Sequence, residues 1–196
     1  MSLENLSSSI WSWYKEGDKW AVNRVIEISA EPTTEDQLPP FLKGFKAVPP
    51  LVTDIDLSMD DKYLYVACWG TGDLQKYDVS EPFNPKLISK VRIGGVVSKA
   101  AHPNAKNRPL SGGPQMVEIS RDGKRVYLTN SLYSAIDAPF YPDGVEGWKA
   151  RHQAWRWHRL REVLREMAVA TSSTPGATGR RRLLVGFLLL SLRSNR

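Results

Sequence analysis

A ten-residue pattern occurs twice in this chain, and that repetition limits the fold more than any other feature. Leu57-Ser-Met-Asp-Asp-Lys-Tyr-Leu-Tyr-Val66 matches Ile119-Ser-Arg-Asp-Gly-Lys-Arg-Val-Tyr-Leu128 position for position, 62 residues apart. Each copy reads as a strand ending in Ser, a tight turn at Asp60-Asp-Lys62 or Asp122-Gly-Lys124, and a second strand of alternating apolar residues. Asp and Gly tolerate the positive φ that a two-residue hairpin turn demands. The first copy runs on through the turn residues Gly70-Thr-Gly72-Asp73 into Leu74-Gln-Lys-Tyr-Asp-Val79. After Pro82 and Pro85 comes Lys86-Leu-Ile-Ser-Lys-Val-Arg-Ile93, which completes four short strands in a row. Repeated four-stranded antiparallel units predict an all-β fold built of propeller blades, whose usual period is about 40–45 residues. The longer spacing here fits an inserted loop from Gly94 to Gly113, rich in Gly, Pro, Asn and Lys.

Upstream, Ile10-Trp-Ser-Trp-Tyr14 and Trp20-Ala-Val-Asn-Arg-Val-Ile-Glu-Ile28 flank the turn residues Glu16-Gly17-Asp18. This is the pattern of a hairpin, with Val25, Ile26 and Ile28 as candidate core. Five prolines between Glu31 and Pro50 remove backbone donors and argue for a surface connection without helix. The resulting count is part of a blade before Ala47, a nearly complete blade from Val52 to Ile93, and the first half of another from Met116 to Asp137. A closed propeller needs at least about four blades. The expectation is therefore a partial β-propeller of about two to three.

Charge divides the chain. Its 27 basic and 21 acidic residues give a net +6, yet residues 149–196 hold 11 of the basic residues against Glu162 and Glu166 alone. Residues 1–148 are net acidic, and their basic residues are mostly Lys where those of the tail are mostly Arg. Clustered positive charge is the footprint of phosphate binding, but its confinement to the tail removes nucleic acid from the partners expected of the globular part. Two domains follow: 1–148 as the partial propeller, and 149–196 as a non-homologous Arg-rich tail. In the tail, Leu160, Val163, Leu164 and Met167 have helical spacing, which predicts an amphipathic helix from Ala150 to Ala170. The apolar run Leu183 to Leu190 is far short of the ~20 residues that span a bilayer, and the first residues lack the pattern of a secretory signal. A cytoplasmic compartment is favoured, with a periplasmic one as the alternative.

Candidate chemistry is sparse. Cys68 is the sole cysteine; set between Ala67 and Trp69 on a strand, it reads as a small buried hydrophobe, since a reactive thiol needs an electropositive setting. His102 lies in the inserted loop, and His152 and His158, six apart, fall on different faces of a helix, so no metal site is read. Gly70-Thr-Gly72 and Gly112-Gly113-Pro114 lack the flanking residues of phosphate loops and read as turns. Among the clustered carboxylates, Asp60 and Asp61 belong to a turn and Asp56 is expected to face water. Asp54 is the one catalytic candidate, because Thr53-Asp54 opens a strand where propellers aim polar groups at the central channel. The alternative at Asp54 is a structural hydrogen bond. Gln115 and Met116 hold the matching place in the second copy.

The ordered set Pro49 to Val66, Trp69-Gly-Thr-Gly-Asp-Leu74, Tyr77-Asp-Val-Ser-Glu-Pro82, Gly112-Gly-Pro-Gln-Met116, Ser120-Arg-Asp-Gly-Lys124, Ser131-Leu-Tyr-Ser134 and Phe140-Tyr-Pro142 closely resembles the selenium-binding protein family of methanethiol oxidases, its bacterial branch in particular. The resemblance runs from about Ile10 to Trp148. It implies a copper-dependent propeller enzyme that converts methanethiol, dioxygen and water to formaldehyde, hydrogen sulfide and hydrogen peroxide. It also implies that this stretch is interior, without the family's selenium-associated cysteine or its His-rich C-terminal part. The expectation is therefore a fragment that binds no copper and is inactive, or a non-catalytic remnant or protein-interaction module. The break after Trp148 fits a frameshift or a misjoined gene.

Overall fold

In a computed structural model, both copies of the repeat form the hairpins their turns call for. The structure describes residues 6–101, 109–130, 134–145 and 149–153. In the first copy Ser58 Oγ donates to Asp60 Oδ1 (2.6 Å) and accepts from the Tyr63 N–H (2.9 Å), while Asp61 takes φ 56°. In the second, Ser120 Oγ donates to Asp122 and accepts from the Arg125 N–H (3.0 Å), and Gly123 takes φ 66°. Serine and aspartate thus satisfy the backbone groups that the reversal leaves without ladder partners.

Four open sheets result, built of strands β1 (Ser8–Glu16), β2 (Lys19–Ile28), β3 (Glu31–Pro32), β4 (Ala47–Val48), β5 (Val52–Leu57), β6 (Tyr63–Cys68), β7 (Asp73–Asp78), β8 (Lys86–Arg92), β9 (Val117–Ile119), β10 (Arg125–Thr129) and β11 (Lys149–Gln153). β1 pairs with β2, β3 with β4, and β5-β6-β7-β8 and β9-β10-β11 form antiparallel sheets in those orders. The fold is thus mostly antiparallel β. Between β3 and β4 lie two short 3-10 turns, Glu35–Gln37 and Pro40–Phe45, in place of the helix-free connection expected. Pro40 can open the second because the first turn of a helix needs no N–H there. Helix α1 (Ser134–Phe140) connects β10 to β11.

Sheet β5–β8 lies between the other two large sheets. Along β6, Leu64, Val66 and Cys68 pack with Ile10, Ile26 and Ile28 of the β1–β2 hairpin. Tyr65 and Ala67, on the opposite face, pack with Val117, Ile119, Val126 and Leu128 of β9 and β10. Successive strand side chains point to opposite faces, so a strand covered on both sides must be apolar throughout. This is why β6 departs from the alternation expected of it. β10 keeps that alternation: Val126 and Leu128 are buried and Tyr127 is exposed.

The tail departs from expectation at its start. Ala150 to Gln153, assigned to a helix, are strand, with Ala150 opposite Leu128 and Gln153 opposite Arg125. The helical spacing resides farther on, from Leu160, whereas here the free edge of β10 offers backbone donors and acceptors that only a strand can pair. The rest of the expected helix lies outside the described residues. Among those described, no helix is long and apolar enough to cross a membrane.

Candidate functional site

The first strands of the two repeats, β5 and β9, run side by side in parallel and are joined through side chains. Thr53 Oγ1 donates to the Gln115 carbonyl (2.8 Å), and the Val117 and Ile119 N–H groups donate to Asp54 Oδ2 (2.8 Å) and Asp56 Oδ2 (3.0 Å). Carboxylates here replace the carbonyls of a parallel ladder. Asp54 also accepts from the Ile55 N–H at 3.0 Å through Oδ1, so both of its oxygens are engaged. Burial raises the pKa of Asp54 and of Asp56, against the pull of these N–H donors. Asp56 therefore does not face water, as its alternation with Ile55 and Leu57 implied; Ile55 and Leu57 are the exposed residues. A strand with apolar neighbours on each side of an acid looks solvent-facing only while its partner strand is unknown.

Of the matching positions in the second copy, Gln115 is buried and its N–H donates to the Thr129 carbonyl (2.6 Å), whereas Met116 is exposed. Glu118, at the place of Asp56, has its pKa raised by desolvation and by the charges of Asp56 and Asp54.

At the end of the sheets where β6 turns into β7, separate motifs converge on Trp69. Its Nε1 donates to the Asn130 carbonyl (3.1 Å), its carbonyl accepts from Tyr141 Oη (2.9 Å), and that same Oη accepts from the Gly113 N–H (3.1 Å). Phe140 and Tyr141 stand edge-on to the indole, with both centroids 5.0 Å away. Burial raises the Tyr141 pKa, which keeps its hydroxyl a donor. Backbones meet closely here: a Cβ on Gly72, at φ +84°, would lie 1.3 Å from the Gly94 carbonyl oxygen, and one on Gly113 2.1 Å from that of Trp69. Within this tight packing Thr71 is 3% exposed, and its hydroxyl has no hydrogen-bond partner among the described residues. A buried unpaired hydroxyl costs on the order of 1–3 kcal/mol. Sequence reading separated Trp69, Gly112-Gly113 and Phe140-Tyr141 as turn and motif residues; their shared end of the fold is seen only in three dimensions.

A second buried polar group was not anticipated at all. Asp73, fully buried, accepts from Arg92 Nε (2.8 Å) and pairs with Lys90 Nζ (2.9 Å), and both cations also reach Glu31. Glu31 is held below the usual carboxylate range, because Arg92 and Lys90 outweigh the opposing effect of its burial.

Cys68 sits opposite Asp73 in the β6–β7 ladder. Burial, with the Asp73 charge adding to it, pushes its thiol up to about 12, so at neutral pH it is a protonated, apolar core group. His102 and His158 lie outside the described residues, as does the side chain of His152. Among the described residues no three His, Cys, Asp or Glu side chains are grouped as a metal would require. The oxygens of Asp54 are taken by backbone donors and the one thiol is enclosed among apolar side chains, so the described donor set does not fit copper.

The sequence model of the 56kDa selenium binding protein (SBP56) matches residues 2–154. The chain belongs to this family. That match takes in β11, beyond Trp148. Among members of this family, methanethiol oxidase from Xenopus tropicalis is 38% identical over 157 residues, covering 72% of this chain and 32% of that protein. Methanethiol oxidase from Homo sapiens is 40% identical over 156 residues, covering 70% and 31%. The X-ray structure of a hypothetical selenium-binding protein from Sulfolobus tokodaii superimposes with a TM-score of 0.71 at 57% identity, covering 76% of this chain and 32% of that one. The chain thus spans about a third of the length of the family members it matches.

Proposed function

We propose that this chain is an interior portion of a methanethiol oxidase and that its sheets are blades of a β-propeller. The observation that carries this reading is the convergence of the family's scattered motifs on Trp69, in a chain whose named relatives are methanethiol oxidases. The stacking supports the propeller. Leu64 and Val66 face the sheet before them, and Val126 and Leu128, at the matching positions, again face the sheet before theirs. Each repeat unit is therefore set on its predecessor in the same sense, as blades are.

The reaction is oxidation of methanethiol by dioxygen and water to formaldehyde, hydrogen sulfide and hydrogen peroxide. Copper, where the intact protein uses it, supplies redox chemistry from a site outside the described residues. Asp54 has the role of a strand-to-strand acceptor, not of a proton carrier. The 196-residue chain is inactive by itself. The test is release of sulfide and peroxide from methanethiol, with bound copper measured in parallel. The gene product extended to the length of its relatives is expected to turn over, and the present chain is not. Turnover by this chain with stoichiometric copper overturns its inactivity; failure of the copper-loaded extended protein overturns the oxidase reading.

A further inference from the structure

The connection between β2 and β5 has a small core of its own. Leu38, Leu42 and Val48 are each 4% exposed and pack with Phe45, Val96, Val97 and Phe140, in a cluster that contains no residue of β5 through β10. Residues 31–48 are also bonded chiefly to themselves. β3 pairs with β4, the Thr33 N–H donates to the Lys46 carbonyl (3.0 Å), Thr33 Oγ1 donates to Gln37 Oε1 (2.6 Å), and Lys46 pairs with Glu35 (3.3 Å). Pro32, Pro39 and Pro40 fix φ along the segment, which stiffens it between its ends. Among the described residues one side chain of the segment, that of Glu31, bonds to a sheet: it accepts from Lys90 Nζ (2.8 Å) and from Arg92 Nη2. The floor beneath is tied down, because the Val96 N–H donates to the Gly70 carbonyl (2.8 Å) and Ser98 Oγ accepts from Arg92 Nη1 (2.8 Å).

We infer that residues 31–48 form a lid that lifts in one piece from the Trp69 end of the fold, with Glu31 as its latch. Asp73, Lys90 and Arg92 all lie on β7 and β8 and stay paired with one another when the lid rises; Glu31 alone leaves. The two cations are 38% and 32% exposed, so water takes the place of Glu31 on them and the bond broken is of the weak, solvent-screened kind. Elements joined to their neighbours by so few contacts are the ones that open below the threshold of global unfolding. Phe41, 45% exposed, stands edge-on to Phe140 at 4.8 Å, and Phe140 stands edge-on to Trp69 at 5.0 Å. A raised lid therefore bares Phe140, the ring that lies between the lid and Trp69. Opening and closing of the lid set whether a small molecule reaches that aromatic cluster.

Methyl relaxation dispersion on the full chain tests this, since lid motions fall in the microsecond-to-millisecond range that it reads. The Leu38, Leu42, Val96 and Val97 methyl groups should share one exchange process that is absent from Val66 and Val126 in the sheet cores. Glu31→Ala should raise the open population about 5- to 10-fold through loss of the latch, with Glu31→Gln in between. Glu35→Gln, which weakens only a bond inside the lid, should leave the population unaltered. Exchange absent from both the parent and Glu31→Ala overturns the inference. So does exchange shared with Val66 and Val126, which is opening of the whole fold, or a population that Glu31→Ala does not change. A rise in Glu35→Gln equal to that in Glu31→Ala overturns lifting in one piece. Should Glu31→Ala fail to fold, the isosteric Glu31→Gln decides by the same signs.

Discussion

The two copies of the ten-residue repeat share one local design and live in different surroundings. Both build a Ser–Asp-braced hairpin with a positive-φ residue at its tip. The first is packed on both faces and its leading strand is bonded to the next one through Thr53, Asp54 and Asp56. The second is packed on one among the described residues, and Met116 and Glu118 take the places of Asp54 and Asp56. The copies part further after their second strand: the first turns within Gly70-Thr-Gly72 into β7, while the second passes through α1 and delivers Phe140 and Tyr141 onto Trp69. Hairpin identity is thus written locally, and what a hairpin contributes is decided by what leans on it.

Substituting one glycine near each copy should break that comparison most sharply. Gly72→Ala places a methyl group inside the Gly94 carbonyl, and chemical denaturation should show loss of several kcal/mol, on the order of 4 or more, or no cooperative transition. Gly123→Ala, where only the Met59 side chain comes within 4 Å and φ is +66°, should cost about 1 kcal/mol. Equal costs would mean that the turn conformation, not the close backbone contact, governs both sites.

The matched acids give a smaller and more specific contrast. Asp54→Ala or Asp56→Ala leaves the Val117 or Ile119 N–H without its acceptor and should cost about 1–2 kcal/mol each. Glu118→Ala should lie within about 0.5 kcal/mol of the parent, as surface substitutions do. Hydrogen exchange at the Val117 and Ile119 amides is the site-specific check, since these should exchange faster in the Asp variants alone.

The smallest expected effect is a dependence on pH. Glu31 is held below its ordinary value of 4.5, so its contribution to stability is complete above pH 4.5 and is lost as pH falls through the lower folded value. Asp54 and Asp56, raised above 3.8, act oppositely: their charged forms are disfavoured by the fold, and acid relieves that penalty. Glu31→Gln should therefore be less stable than the parent at pH 7, with the gap narrowing below pH 4.5. A gap that widens in acid would contradict the assignment.

The hairpins, the four-strand unit and the turn chemistry were legible because they depend on residues within ten positions of one another. Other features were not. The role of Asp56 was hidden because its bond is to a strand 63 residues away. The Asp73 cluster draws Arg92 and Glu31 from distant elements, so Asp73 read only as the end of a turn. Helix α1, which contains Pro139, has little propensity of its own; it is short and lies against Trp69, and packing supplies what its residues do not. The tail start misled because a helical pattern beginning at Leu160 was extended backward over residues that complete a sheet.

Cys68 gives the hairpin seam a clock. It is the chain's one thiol, enclosed between β6 and the β1–β2 hairpin with no exposure, and with a pKa near 12 it is protonated in place. An alkylating reagent reacts with thiolate and must reach the sulfur, so it can label Cys68 only while the hairpin is lifted away. The labelling rate divided by that of an unfolded thiol is then the equilibrium constant for that lifting, provided closing outpaces alkylation. One residue without a catalytic task thereby reports how often a sheet separates from its neighbour.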